Sequence, residues 1–300
     1  MEKILVAILH GIGDSLMAMP AIHELKKKYP ESSITVMTIK NPIFQDIFRY
    51  NKDVDEVIFS SLDYNPKYGN PMFWIGDYWK IKRDIRRAVK AYGFTKSFFV
   101  KMILMPAKIY ANIKLPRYME HKTFKVAREL GVELKDNRYY IKYGDDDRRW
   151  AELFLKERNI DEDILIGLHV SGSSVKKSLP AETTSMLVKV LNSFGYQVLL
   201  FHSKQSYERD KNKIPEGVKV CVSDNLLHTA ALVDKCSHMI CVDSGVGHIA
   251  AALNKRLLSV FMREIWISNS LAIGDCVKPY LYQRDDNDLL EVVRTFLKTS

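Results

Sequence analysis

The sequence predicts an α/β protein made of two doubly wound domains in tandem, and three observations carry that prediction. Short apolar runs of strand length alternate with amphipathic helical stretches along most of the chain. Its 300 residues exceed the usual reach of one hydrophobic core, so two domains of roughly 150 residues each are the natural division. Each half also follows its first strand with a glycine-containing turn, where ligands of such sheets bind. The boundary falls near Gly144, giving domains 1–144 and 145–300.

In the first half, a buried-strand pattern at Ile4 to Leu9 leads through His10-Gly11-Ile12-Gly13-Asp14 into a helix ending near Tyr29. Leu16, Met19, Ile22 and Leu25 keep helical spacing, with Pro20 as an expected kink. Strands follow at Ser33 to Thr38 and Val54 to Phe59, around a short amphipathic segment at Phe44 to Phe48. Pro66, Gly69, Asn70, Pro71 and Gly76 mark a long loop that also holds Tyr64, Tyr68, Phe73 and Trp74. A helix is predicted over Tyr78 to Ala91, a strand over Lys96 to Lys101, and helices over Pro106 to Ile113 and Met119 to Leu130. From Asp145 a helix with Trp150, Leu153 and Phe154 bridges into the second series. Its strands are read at Ile164 to Val170, Gln197 to His202, Val218 to Val222, His238 to Val242 and Leu257 to Phe261. Its helices start near Ala181, Tyr207, Leu226, Val246 and Asn287.

Composition narrows the class. With 47% apolar and 27% charged residues, 14 Gly and 10 Pro, the chain is neither disordered, collagen-like nor a coiled coil. The net charge of +9 is concentrated in one segment. Residues 61–144 hold 18 basic and 7 acidic side chains, whereas 1–60 hold 7 and 8 and 145–300 hold 20 and 21. Such asymmetry suits a surface that meets nucleic acid, a phosphorylated substrate or an acidic membrane face, with scattered solvating lysines as the plain alternative. Cys221, Cys236, Cys241 and Cys276 lack zinc-ligand spacing and read as reduced, partly buried thiols of a cytosolic protein. The N-terminal apolar run is too short for a signal peptide, and no stretch reaches the roughly 20 residues of a spanning helix.

Three motifs can carry chemistry. Gly11-Ile12-Gly13-Asp14-Ser15-Leu16 opens like a dinucleotide fingerprint but has Leu16 at the third glycine position, and no acidic residue ends the second strand. Asp14 reads either as the N-cap of the following helix or as a general base at a strand end. His169-Val170-Ser171-Gly172-Ser173-Ser174-Val175-Lys176-Lys177-Ser178-Leu179-Pro180 is a Gly/Ser-rich loop with two lysines before a helix. Backbone N–H groups, hydroxyls and ammonium charge there suit phosphate, although the loop is not a Walker A sequence. Asp243-Ser244-Gly245-Val246-Gly247-His248 turns from a strand into the small-residue helix Ala250-Ala251-Ala252. Asp, Ser and His resemble parts of a hydrolytic triad, but Ser244 lacks the nucleophile elbow. His248 is either a phosphate ligand or a helix residue satisfied by its neighbours.

In order and spacing, these segments resemble the ADP-heptose:lipopolysaccharide heptosyltransferases of glycosyltransferase family 9. The resemblance rests on Gly13-Asp14 with Leu16, Pro20 and Leu25, on Lys177-Ser178-Leu179-Pro180, and on Asp243-Ser244-Gly245 with His248 and the Ala250-Ala251-Ala252-Leu253 helix. It implies a GT-B fold, two Rossmann-like domains facing across a cleft, and inverting transfer without metal or cofactor. It implies that Asp14 is the general base on an acceptor hydroxyl. It also implies that Gly13, Ser171, Gly172, Ser173, Ser174, Lys177, Asp243, Ser244, Gly245 and His248 bind a nucleotide-sugar, with ADP-heptose as the expected donor. The family's ribose-contacting acid is matched most nearly by Glu208, and Leu179 stands where relatives often carry Trp. Asp145-Asp146-Asp147 is read as a helix opening suited to the dipole rather than as a metal-binding pair.

The basic middle segment fits an anionic glycolipid or glycan acceptor of the lipopolysaccharide inner core, with Lys80, Arg83, Arg87 and Lys90 spaced as one helix stripe. The expected location is cytoplasmic, with peripheral contact at the inner membrane face. Two readings from other classes are a nicotinamide-dependent dehydrogenase and a noncatalytic nucleic-acid-binding protein. The second lacks any recognised nucleic-acid module.

Overall fold

The computed structural model describes residues 3–8, 11–38, 41–59, 90–94, 110–112 and 120–298. The chain divides into two compact units, Met1–Tyr139 and Tyr140–Ser300.

The N-terminal unit contains β1 (Lys3–Ile8), α1 (Ile12–Lys28), β2 (Ser33–Thr38), α2 (Pro42–Phe48), β3 (Glu56–Phe59), β4 (Lys90–Phe94), β5 (Tyr110–Asn112) and α3 (Lys122–Leu130). Its strands form a parallel sheet in the order β3-β2-β1-β4-β5. Ile4, Leu5, Val6 and Ile8 of β1 are all buried, a continuous apolar run as expected of a central parallel strand covered on both faces. Helix α1 runs unbroken through Pro20 and buries Leu16 through Ile22 almost without interruption. The chain reverses its order of strands at β1, flanked by β2 and β4, so the turn carrying Gly11 to Asp14 sits at the switch point of this sheet.

Two expectations for this unit are corrected. Lys90 begins β4, paired in register with Ile4, and therefore does not continue a helical stripe. Tyr110–Asn112 forms strand β5 against β4, where a helix was expected through Ile113. Short apolar runs are ambiguous between helix and strand, and pairing with the existing sheet edge decides them. The predicted strand over Lys96 to Lys101 lies outside the described residues.

The C-terminal unit contains α4 (Asp145–Glu157), β6 (Leu165–His169), α5 (Ala181–Ser193), β7 (Gln197–His202), α6 (Lys204–Asp210), β8 (Lys219–Val222), α7 (Leu226–Lys235), β9 (His238–Val242), α8 (Gly245–Ala252), β10 (Arg256–Phe261), α9 (Glu264–Ser270), β11 (Val277–Leu281) and α10 (Asp286–Lys298). The sheet is parallel, in the order β11-β10-β9-β6-β7-β8. One face is sealed by Leu187, Val188 and Leu191 of α5 and by Leu289, Val293 and Phe296 of α10 against Ile166, Leu168, Ile240 and Val260. At the head of α4, Asp147 accepts the Gly144 N–H at 2.9 Å, consistent with acidic residues serving the helix start. The sequence pattern missed α9 and β11. Cys221, Cys236 and Cys241 are buried free thiols, and burial pushes Cys221 up to about 12. Among the described residues, no helix is long and apolar enough to cross a membrane.

Candidate functional site

Strands β6 and β9 are neighbours in the sheet, and the chain runs outward from them in opposite directions, through β7 and β8 on one side and β10 and β11 on the other. The loops leaving their carboxyl ends, after His169 and after Val242, thus flank the switch point where ligands of open α/β sheets bind.

The first loop is wound tightly. The Leu179 N–H donates to Val170 O at 3.0 Å and the Lys177 N–H to Ser174 O at 2.9 Å, closing one 3₁₀ turn over Val175–Lys177. Ser178 Oγ accepts the Gly172 N–H at 3.1 Å and donates to Ser174 O at 3.0 Å. A Cβ on Gly172 would lie 2.5 Å from Lys177 Cβ and 2.6 Å from Lys177 O, so only glycine permits this folding of the loop. Its result is to place the Lys177 ammonium against the Asp243 carboxylate at the end of β9. The same ammonium lies 4.7 Å from the centre of the Trp266 ring. Ser173 and Ser174 remain exposed on the outside of the loop.

Beyond Asp243, α8 starts at Gly245 with Ser244 as its N-cap, yet the Ser244 side chain caps nothing. Ser244 Oγ is buried and has no hydrogen-bond partner. The first N–H groups of α8 therefore stand uncapped beside an unsatisfied hydroxyl and a lysine, an arrangement suited to an anion. His248 is buried one turn into α8.

A cavity of 790 Å³ opens beside this loop at the ends of β6, β7, β10 and β11. Ser171, Leu179, His202, Asp210, Arg263 and Tyr282 contribute to its wall. Burial holds His202 below the ordinary imidazole range, and its Nε2 has no hydrogen-bond partner. Burial alone would raise the Asp210 carboxyl, but hydrogen bonds from Arg209 and Ser171 outweigh it and keep it below the usual range. Ser171 Oγ donates to Asp210 Oδ2 at 2.9 Å, and Arg209 donates to the same oxygen at 2.7 Å and to Gly172 O at 3.3 Å. Helix α6 thereby braces the glycine-rich loop. Glu208 lies elsewhere: it is paired with Lys211 at 2.6 Å, its side chain is 66% exposed, and it does not line the cavity.

Sequence reasoning therefore missed Arg209, Asp210, His202, Arg263 and Trp266. Asp210 stands two residues beyond the acid singled out by spacing. Arg263 and Trp266 belong to α9 and its cap, an element the pattern did not reveal.

In the N-terminal unit, Gly13 and Asp14 occupy the first turn of α1. Asp14 is at the third helical position rather than the cap, and its Oδ2 accepts the Gly11 N–H at 3.2 Å. Its Oδ1 takes Lys122 Nζ at 2.7 Å, a partner brought by the first residue of α3. Lys80, Arg83 and Arg87 lie outside the described residues, and Lys90 is described only as backbone in β4.

Residues 87–264 match the family model of "Glycosyltransferase family 9 (heptosyltransferase)". No curated protein sequence matches the chain significantly. Among solved structures, the chain resembles a glycosyl transferase family 9 protein from Veillonella parvula with a TM-score of 0.82 at 16% identity, covering 100% of this chain and 98% of that one. It resembles E. coli ADP-heptose LPS heptosyltransferase II with a TM-score of 0.76 at 16% identity, covering 99% and 98%. The E. coli heptosyltransferase WaaC with ADP gives a TM-score of 0.68 at 16% identity, covering 98% and 99%.

Proposed function

The chain belongs to glycosyltransferase family 9, the heptosyltransferases, and from that premise we propose that it moves a heptose from an ADP-linked donor to an anionic glycan acceptor of the lipopolysaccharide inner core, with inversion. Its fold is GT-B, and it is a glycosyltransferase. Family membership sets aside the dehydrogenase and nucleic-acid-binding readings.

The observation that carries the donor assignment is the Lys177–Asp243 pair beside the uncapped start of α8. In a single displacement, the acceptor oxygen attacks the anomeric carbon while the bond to the donor's diphosphate breaks and its electron pair leaves on phosphate oxygen. The nucleoside diphosphate departs as a stable anion, so it needs cations and N–H donors rather than a proton. Lys177, the Ser244 hydroxyl and the Gly245 and Val246 N–H groups supply them. Asp14 takes the acceptor proton, its carboxylate oriented by the Gly11 N–H and paired with Lys122. Ser171 to Ser174 form the outer wall of the donor site, and His248, one turn into α8, contributes to it. Lys80, Arg83 and Arg87 receive the acceptor's anionic groups, the enzyme acting from the cytoplasm at the inner membrane face.

Solved relatives carry ADP or an ADP-heptose analogue, which favours adenine in the donor. Calorimetry against ADP-, GDP- and UDP-sugars tests this directly, with ADP-sugars expected to bind at least tenfold more tightly. Preference for GDP or UDP would sink the donor assignment. Charge reversal of Arg83 and Arg87 is expected to raise acceptor KM several-fold with donor KM unchanged, and an unchanged acceptor KM would return these residues to plain solvation.

A further inference from the structure

We propose that Arg263 is a second diphosphate-binding cation and that Trp266 positions it together with Lys177. The inference rests on the donor reading above and goes beyond it, because Arg263 caps α9 and Trp266 lies in its first turn, outside all three motifs.

The arrangement follows from strand order. β9 lies between β10 and β6, so the Asp243-to-Gly245 turn has the β10 turn on one side and the glycine-rich loop on the other. Lys177 comes from the β6 side and Arg263 from the β10 side, and both are drawn to one ring: Lys177 Nζ is 4.7 Å from the Trp266 centre and Arg263 Cζ is 5.4 Å from it. A ring face holds a cation in place without neutralising it. The Trp266 backbone is held in the first turn of α9, its main-chain N–H donating to Arg263 O at 3.0 Å and its carbonyl accepting the Ser270 hydroxyl at 2.9 Å, and that hydroxyl stands 3.5 Å from Asp243 Oδ1.

Charge balance gives the cluster its purpose. Asp243 supplies one negative charge against Lys177 and Arg263, and no carboxylate among the described residues forms an ion pair with Arg263. Two like charges gathered over one ring leave an excess of positive charge at the mouth of α8. A sugar diphosphonucleotide arrives with two negative charges on its diphosphate and the product leaves with a further one as the glycosidic C–O bond breaks. A single Lys already shared with Asp243 matches that increase poorly; a guanidinium with paired N–H donors matches it well. Arg263 also lines the cavity, alongside Lys176.

Calorimetry with ADP and with inorganic pyrophosphate on the full chain tests the proposal. Arg263→Met is expected to weaken both roughly tenfold, and Arg263→Lys to recover part of the loss. Trp266→Leu is expected to weaken both about fivefold, while Trp266→Phe, which keeps a ring face, recovers most of the affinity. Recovery by Phe separates positioning of the cations from simple packing. Native affinity of Arg263→Met for both ligands overturns the proposal, as does a Trp266→Phe variant no better than Trp266→Leu. If the wild-type protein binds pyrophosphate in an Arg263-dependent way but shows no added affinity for ADP, the cation pair is upheld and the donor reading fails. Binding of ADP with no dependence on Arg263 gives the reverse.

Discussion

Each unit sets a lysine against an aspartate at the switch point of its sheet, and the two pairs are built to different ends. In the N-terminal unit the side chains of Asp14 and Lys122 are 28% and 32% exposed, so carboxylate and ammonium are equally open. In the C-terminal unit Asp243 is 8% exposed and Lys177 27%, so the carboxylate is sunk beneath the cation. An open ion pair holds its partners by about 1 kcal/mol or less, so on the proposed reading an acceptor hydroxyl can approach Asp14 at little cost beside Lys122. A buried carboxylate cannot give up its partner cheaply and is a fixed counter-charge for Lys177. On the proposed reading, one pair chemistry serves as a base in one unit and as an anion receptor in the other, and the two differ in which partner is buried.

The largest expected effect breaks the first half of that contrast. Asp14→Asn keeps the size of the side chain and its place in the α1 turn but removes the base, and kcat should fall about a thousandfold with ADP affinity unchanged. Survival of turnover would remove Asp14 from the proton's path. Next comes the second half. Lys177→Met should raise donor KM roughly thirtyfold and also lower stability by about 3 kcal/mol, because Asp243 loses the partner of a largely buried pair. Lys122→Met should leave donor KM alone and change stability by about 1 kcal/mol or less, its effect falling on kcat. Thermal melts and donor titrations on the two methionine variants decide the matter, and equal stability losses would erase the distinction between the pairs.

How far the sequence revealed this follows from where the signals lie. Ile4 to Ile8, Gln197 to His202 and His238 to Val242 are central or near-central strands whose unbroken apolar runs mark them clearly, and the three strand-to-helix turns carry their chemistry in consecutive residues. Lys90 to Phe94 and Val277 to Leu281 were hidden because strands toward the sheet edge carry weaker patterns: Val277-Lys278-Pro279 is half exposed, and Tyr92-Gly93 interrupts any run. Lys122 could not be found by spacing, since it meets Asp14 across 108 residues through the packing of α3 on α1. Trp266 and Ser270 were missed for the same reason. They act on Lys177 and Asp243 only because β10 happens to lie next to β9. Gly172 was legible as a turn glycine, but its real constraint, the approach of Lys177, appears only once the loop is folded.

A further effect concerns stability in acid and again separates the units. His169, His202, His238 and His248 are buried in the C-terminal unit, whereas no described histidine of the N-terminal unit is. Burial, aided by His202 and Arg209, holds His169 down to about 3, and burial with Arg256 and Lys255 holds His238 at about 4. Both lie below the unfolded value of about 6.5, so below that pH the unfolded chain binds more protons than the folded one. Their stabilisation is complete above about 6.5 and declines as pH falls toward 4, with His169 continuing toward 3, each by up to about 1.4 kcal/mol per pH unit. Hydrogen exchange at pH 7 and pH 5 should therefore show β6, β7 and β9 losing protection while β1 and β2 hold theirs. A His238→Asn variant should flatten the pH dependence of the C-terminal unit by close to one proton. Earlier opening of β1 and β2, or an unchanged slope in the variant, would move the acid-sensitive element out of the histidine-rich unit. The carboxylates would then be its source, and Asp14 and Asp243 would differ in exposure without differing in consequence.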